Sequence, residues 1–314
     1  MASTDGVGSG SRRAFLTGRR VSRTPWEDFC RRMRRAAEGT FYDFGGQEGA
    51  GSARLTVACG ADVNHARKLC AEHGVVFALD GVPHASALDE FPVLWVDPGR
   101  DLAQCKRIAA DSPYWFVQPG CFLGELEAAG LRQFQGLPAH LTVAAWLADR
   151  GLCDWRSGET HKSGLEHASV MLADGSRVTL GPFGENNRKP LEGLTLQRMV
   201  STLFELSRLP SARTCRDAEF WPARYRLDAL LPAPGGTINL ARLLLGHGGD
   251  LGWVDWLVFD ERIENEIEVT YEPRFSTADK DRDEDTWIAA SDVDSQVKYV
   301  FDPANLFPTA GQAL

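Results

Sequence analysis

Residues 246–252 read Gly-His-Gly-Gly-Asp-Leu-Gly, four glycines in seven positions directly after the apolar run at 240–245. Glycine has no Cβ, so a stretch this rich in it reaches backbone conformations closed to other residues. It also lets the main chain come within bonding distance of another group. From the residues alone two readings stay open, a surface turn and a backbone cradle for a ligand. Either way the chain must be built so that an apolar segment delivers a tight, unusual loop, and the neighbouring elements decide between them.

The chain of 314 residues is long enough for one large or two ordinary domains with a substantial core. No apolar run approaches the roughly 20 residues that span a bilayer. A net charge of -9 argues against nucleic acid as the main partner. That charge is unevenly spread. Residues 1–35 hold nine arginines against Asp5, Glu27 and Asp28, a net +6 that leaves -15 for the rest. Seven cysteines without a C-x-x-C pair read as reduced thiols of a cytoplasmic protein, with Cys59, Cys70 and Cys105 as packing residues. Ser11-Arg12-Arg13-Ala14-Phe15-Leu16 looks like a twin-arginine export signal, but Arg19, Arg20 and Arg23 stand where its apolar stretch belongs. The expectation is a basic arm leading into a helix.

Thr24-Pro25-Trp26-Glu27 predicts that helix through an N-cap, a first-turn proline and a capping-box glutamate. Trp26, Phe29, Cys30 and Met33 share one face, arginines line the other, and Gly39 is the expected terminator. Beyond it short apolar strands alternate with helices. Strands are expected at 54–59, 75–79, 93–96, 114–117 and 253–259, and helices at 61–73 and 122–129. Asp174-Gly175 between 169–172 and 177–180 is a hairpin signal. This order predicts α+β layers rather than a doubly wound parallel sheet. The acidic stretch 260–294 is expected to include an exposed loop at 276–286.

Read in series, these segments resemble the FAD-linked oxidases, the family of vanillyl-alcohol oxidase and the D-lactate and glycolate dehydrogenases with its PCMH-type FAD-binding domain. Residues 78–88 stand where that family has its first diphosphate loop. Val117-Gln118-Pro119-Gly120 matches a V-x-P-G turn, Glu125-Leu126 an E-L helix, and Thr142-Val143-Ala144-Ala145 a T-[VI]-G-G helix start. Asp174-Gly175 matches a D-G hairpin, Tyr225-Arg226-Leu227 a Y-[DR]-L segment, and residues 246–252 the motif G-S-E-G-T-L-G. Lys298-Tyr299-Val300-Phe301-Asp302-Pro303 with Leu306-Phe307-Pro308 matches the family's ending.

The resemblance implies a PCMH-type two-subdomain FAD-binding fold with a truncated cap. Its divisions would be a basic arm and helix at 1–39, the FAD-binding domain at 40–259, an acidic remnant of the cap at 260–297 and a closing segment at 298–314. It implies FAD as cofactor, held by Gly81, Val82, Pro83, His84, Pro119, Gly120, Thr142, Val143, Ala144, Ala145, Gly246, Gly248, Gly249 and Gly252. His247 becomes the candidate base that takes a hydroxyl proton while the alcohol carbon gives hydride to the flavin. His84 stands where some members tether flavin covalently. The family's metal-binding histidines have no counterpart, so no metal site is expected.

Departures from the pattern are specific. The first diphosphate loop keeps one glycine, Gly81, and Pro83 removes a backbone donor. The G-G pair has become Ala144-Ala145. In the opening motif His247, Gly248 and Asp250 replace serine, glutamate and threonine. His161 and His167 read as structural, Trp253 and Trp256 as core, and Asp302-Pro303 as a turn.

Two classes of function follow. One is an FAD-binding oxidoreductase acting on a small 2-hydroxy acid or alcohol, alone or as an accessory subunit beside a larger flavoprotein or Fe–S partner. The other is a non-catalytic scaffold that keeps the fold with degenerate flavin loops. Neither needs nucleic acid or an integral membrane segment.

Overall fold

Helix α1 (Pro25–Ala36) begins as its capping box requires. Thr24 Oγ1 accepts the Glu27 N–H at 3.1 Å and the Glu27 carboxylate accepts the Thr24 N–H at 3.0 Å, so two N–H groups that no helix turn can reach are satisfied. Phe29, Cys30 and Met33 are buried on the expected face. These residues belong to a computed structural model that describes residues 24–47, 50–82, 91–184, 193–263 and 283–309.

The first layer is a sheet of β1 (Thr40–Gln47), β2 (Ala50–Thr56), β3 (Val76–Leu79) and β4 (Val93–Asp97) in the order β1-β2-β4-β3. Strands β2, β4 and β3 run parallel and β1 closes one edge antiparallel. Helix α2 (Gly60–His73) makes the crossover from β2 to β3 and buries Val63, Ala66, Leu69 and Cys70, as its periodicity predicts. The strand expected at 54–59 instead covers Ala50–Thr56. Asp62 explains the difference: its fully buried carboxylate takes the N–H groups of Ala58 at 2.8 Å, Glu38 at 2.8 Å and Gly39 at 3.0 Å, pulling the chain out of the sheet. Helix α1 stops at Ala36, before Gly39. That glycine serves another purpose, since a Cβ there would sit 2.2 Å from the Thr56 carbonyl oxygen.

The second layer is an antiparallel sheet of β5 (Cys105–Arg107), β6 (Tyr114–Val117), β7 (Leu165–Met171), β8 (Arg177–Leu180) and β9 (Trp253–Asp260), in the order β5-β6-β9-β7-β8. The expected hairpin is β7–β8, with Met171 opposite Arg177. Helices α3 (Leu123–Ala129), α4 (Val143–Ala148), α5 (Leu194–Leu206), α6 (Pro210–Asp217) and α7 (Glu284–Phe301) belong to this half. The fold is therefore α+β with two separate sheets, as the order of elements predicts. Phe134, Trp146 and Phe259 meet edge to face at 4.9–5.7 Å in the second core.

Three differences concern the second half. The apolar run that precedes the glycine loop folds as a 3-10 turn, Leu240–Leu244, an element its sequence did not mark. Of the loop expected at 276–286, residues 276–282 lie outside the described residues, and Glu284, Asp285 and Thr286 form the first turn of α7, capped by Asp283. Helix α7 then runs unbroken to Phe301, across the division expected at 297/298. Among the described residues no helix is long and apolar enough to cross a membrane.

The two layers share one apolar seam. Phe77 and Leu79 of the first sheet pack with Ala144, Met171, Trp253 and Phe307 in a single buried cluster. The seam sets where the glycine loop lies.

Candidate functional site

Asn239 fixes the entry to the loop, its side-chain oxygen accepting the Ala241 N–H at 2.9 Å. The chain then turns through the 3-10 segment, and Gly246 N–H reaches the Leu147 carbonyl at 2.7 Å and Gly248 N–H the Ala148 carbonyl at 2.9 Å. The loop is thus docked onto the C-terminal end of α4. Gly248 and Gly249 have φ of 68° and 80°, in the left-handed region that favours glycine.

At this junction Pro119, Ala144, His247, Gly249 and Gly252, all expected from the sequence as site residues, line one cavity with Phe77, Leu79, Trp253, Val254 and Phe307. About 330 Å³ of atom-free space, part of it open to solvent, lies within this lining, spread thinly enough that room remains for about one water molecule. Its polar groups are few. His247 Nδ1 and Trp253 Nε1 are buried without a hydrogen-bond partner.

His247 is 2% exposed. Burial, then the nearby Arg224 and Lys298 cations, push its pKa down to about 3. The ring is neutral at physiological pH, but a base is most effective with a pKa near the working pH. His247 as placed is a poor proton acceptor.

A network of buried charges backs the loop. Asp250 pairs through Oδ2 with Arg224 Nη1 and accepts the Tyr225 hydroxyl at 3.2 Å, while its Oδ1 has no partner. Lys298 Nζ donates to the Asp250 carbonyl at 2.7 Å, to Asp302 Oδ2 at 2.6 Å and to the Phe307 carbonyl at 3.2 Å. Asp302 in turn accepts the N–H groups of Leu306 and Phe307 at 3.0 and 2.9 Å. Asp294 takes the backbone N–H groups of Tyr225 at 3.0 Å and Arg224 at 3.1 Å, and burial pushes its carboxyl up to about 6 against those bonds. Arg226, fully buried, forks onto Asp228 and donates to the carbonyls of Cys153, Trp155 and Arg156. The Tyr225-Arg226-Leu227 and closing segments are therefore brackets that hold the loop. Of the network, the short spacings of Arg226 with Asp228 and of Lys298 with Asp302 are visible in the sequence. Arg224 and Asp294 lie 70 positions apart and carry no local signal.

The remaining expected site residues surround the cavity in other roles. Thr142 caps α4, its Oγ1 accepting the Ala145 N–H at 3.2 Å. Val143 N–H goes to the Cys121 carbonyl at 2.8 Å and Ala144 N–H to the Pro119 carbonyl at 3.1 Å. Gly120 lies so close to Gly99 that a Cβ would stand 1.9 Å from its carbonyl oxygen. Gly81 is exposed, its N–H turned to Asp80 Oδ1 at 2.9 Å, and Val82 packs against the first core. Pro83 and His84 lie outside the described residues.

A flavin dinucleotide needs backbone donors aimed at its diphosphate and open space beside the glycines. Among the expected glycines only Gly81 has open space beside it, and its N–H turns to Asp80. The N–H groups of Gly120, Val143, Ala144, Ala145, Gly246 and Gly248 all bond within the chain. A Cβ at Gly249 would lie 2.8 Å from Leu79 Cβ, one at Gly252 2.6 Å from Val170 Cγ1, and one at Gly246 2.6 Å from Arg150 Cδ. The close approach that these glycines allow is taken up by the protein itself. In this arrangement the described residues do not fit FAD, and among them no group of three or more His, Cys, Asp or Glu could hold a metal ion.

No protein-family model matches the chain, and no curated protein does. Solved structures with a similar arrangement include BBE-like 1 of Physcomitrella patens (12% identity, TM-score 0.41, 74% of this chain and 44% of that one). Others are a chitooligosaccharide oxidase (15%, 0.41, 76% and 43%) and an alkyldihydroxyacetonephosphate synthase (12%, 0.37, 67% and 32%). The chain spans less than half the length of each.

Proposed function

We propose that this chain is built on the FAD-linked oxidase plan and serves, as an accessory subunit, a flavin-dependent oxidoreductase that acts on a small 2-hydroxy acid or alcohol. The observation that carries the reading is the meeting of Pro119, Ala144, His247, Gly249 and Gly252 around one cavity where the two sheets join. These residues come from three segments that the sequence resemblance assigns to flavin contact, and they span more than 130 positions of chain. The partner would be a larger flavoprotein or an Fe–S subunit, and the setting the cytoplasm. The test is to isolate the tagged chain from its native source and titrate the preparation anaerobically with a panel of 2-hydroxy acids and alcohols. Bleaching of flavin absorbance by one of them is expected. A preparation that contains no flavin, or whose flavin no substrate bleaches, refutes the reading.

A second reading has its own observation. The internal use of the N–H groups of Gly246, His247, Gly248 and Asp250 suits a non-catalytic scaffold equally well. The two part on the same titration, since a scaffold unrelated to redox chemistry isolates without a substrate-reducible flavin.

A further inference from the structure

Resting on the accessory-subunit reading, we infer that this chain holds no flavin dinucleotide itself, because its glycine loop has become a packing device that welds the two layers together. Three independent features point the same way. The first is steric: Leu79, at the end of β3, reaches across the seam to the space beside Gly249, and Val170 of β7 does the same at Gly252. In a cofactor cradle that space faces ligand, whereas here it is filled by side chains of both sheets.

The second is the accounting of backbone donors. A buried N–H must find an acceptor. At the loop and at the first turn of α4 the acceptors are the carbonyls of Leu147, Ala148, Cys121 and Pro119, at 2.7–3.1 Å. Redirecting them to a diphosphate would orphan those carbonyls and loosen α4 from the loop. The third is charge. Asp250 lies fully buried in the middle of the loop with one oxygen unpartnered, so an arriving diphosphate would meet a carboxylate whose neighbouring cations are already engaged. Arg224 already pairs with Asp250, and Lys298 already holds Asp302.

The isolated full-length chain, with FAD as the probe, tests this through two readouts. In a fluorescence titration, FAD is expected to show no saturable quenching and to leave the melting temperature unchanged. Stoichiometric binding overturns the inference. Independently, Gly249→Ala in the flavin-free protein adds a methyl against Leu79 at a positive φ, and should lower the melting temperature by several degrees. In a Leu79→Gly background, where the Cβ that the methyl meets is gone, the same change should cost measurably less. A cofactor cradle leaves only the strain of the positive φ, which is the same in both backgrounds, and equal losses in the two also overturn the inference.

The outcomes separate it from the reading it rests on. FAD binding by the isolated chain removes the inference and leaves the oxidoreductase reading standing. A flavin-free chain with coupled Gly249 and Leu79, whose native preparation no hydroxy acid bleaches, supports the inference and removes that reading.

Discussion

Replacing Asp294 by asparagine should change how stability depends on pH, and the size of the change follows from two buried groups of opposite sign. His247 is held near a pKa of about 3, against an ordinary value of 6.5, by burial and then by Arg224 and Lys298. Between those values the unfolded chain carries a proton there that the folded chain does not, so this group makes stability rise with pH. Its contribution is complete above pH 6.5 and is lost as the pH falls toward 3. At about 1.4 kcal/mol per pH unit the whole span is worth on the order of 5 kcal/mol. Asp294 works the other way. Burial raises its carboxyl from 3.8 to about 6, so the folded chain keeps a proton that the unfolded chain has released, and stability falls as pH rises through that window. Because Asp294 is partly exposed, its share is discounted to roughly half of the full 3 kcal/mol or so. Between pH 4 and 6 the two slopes oppose each other, and their sum is a shallow rise. Asp294→Asn removes the falling component and should steepen the rise toward about 1.4 kcal/mol per unit. His247→Gln should turn it into a fall. Urea unfolding followed by tryptophan fluorescence at half-unit steps from pH 4 to 7 measures both. Parallel curves for the wild type and the two variants would refute the reasoning.

Lys298→Met removes three hydrogen bonds and leaves Asp302 buried with only the Leu306 and Phe307 N–H groups. Breaking such a pair costs about 3–5 kcal/mol, and a loss under 1 kcal/mol by chemical denaturation would refute the assigned role. Gly51→Ala puts a methyl 2.3 Å from the Trp26 indole, so the ring must leave its seat. A loss of about 1–3 kcal/mol is expected, and unchanged stability would show that the helix tolerates another docking. The thiols should divide by burial: Cys30 and Cys121 are pushed up to about 12, and Cys70 and Cys153 higher. Ellman's reagent at neutral pH should therefore reach only the partly exposed Cys59 and, slowly, Cys105 before unfolding, whereas reaction of four or more thiols in the native state would contradict the packing.

What could be read from the sequence was local. The cap at Thr24, the period of α2 and the Asp174-Gly175 turn each rest on neighbours within four residues, and each is where it was expected. Strand β1 escaped because Gly45 and Gly46 lie within it, and they read as a turn. Helix α7 escaped because Thr286, Ser291, Asp292, Asp294 and Ser295 are weak helix formers. Its apolar face at Ala289, Ala290, Val293, Val297 and Phe301 was nonetheless there to be counted. Helix α5 offered Leu196, Met199, Val200 and Leu203 in helical spacing without a side-chain cap to mark its start. At the site, the segments that meet could be named from motifs, but not what fills the space beside their glycines. A missing side chain leaves the same gap in sequence whether a ligand or a leucine occupies it. Only the fold shows Leu79 standing against Gly249.

The bond from the Phe77 N–H to the Leu306 carbonyl, 2.9 Å long, joins the first sheet to a residue 229 positions later. During synthesis at about 5–20 residues per second, strand β3 waits roughly 10–45 s for that partner. Until then Phe77 lacks the ring of Phe307 that covers it at 5.4 Å, and the growing chain presents an unfinished apolar edge. The first layer to be made is thus among the last to be completed. Ribosome-bound chains arrested before residue 306 should be open to protease at β3, and chains released past it should be closed.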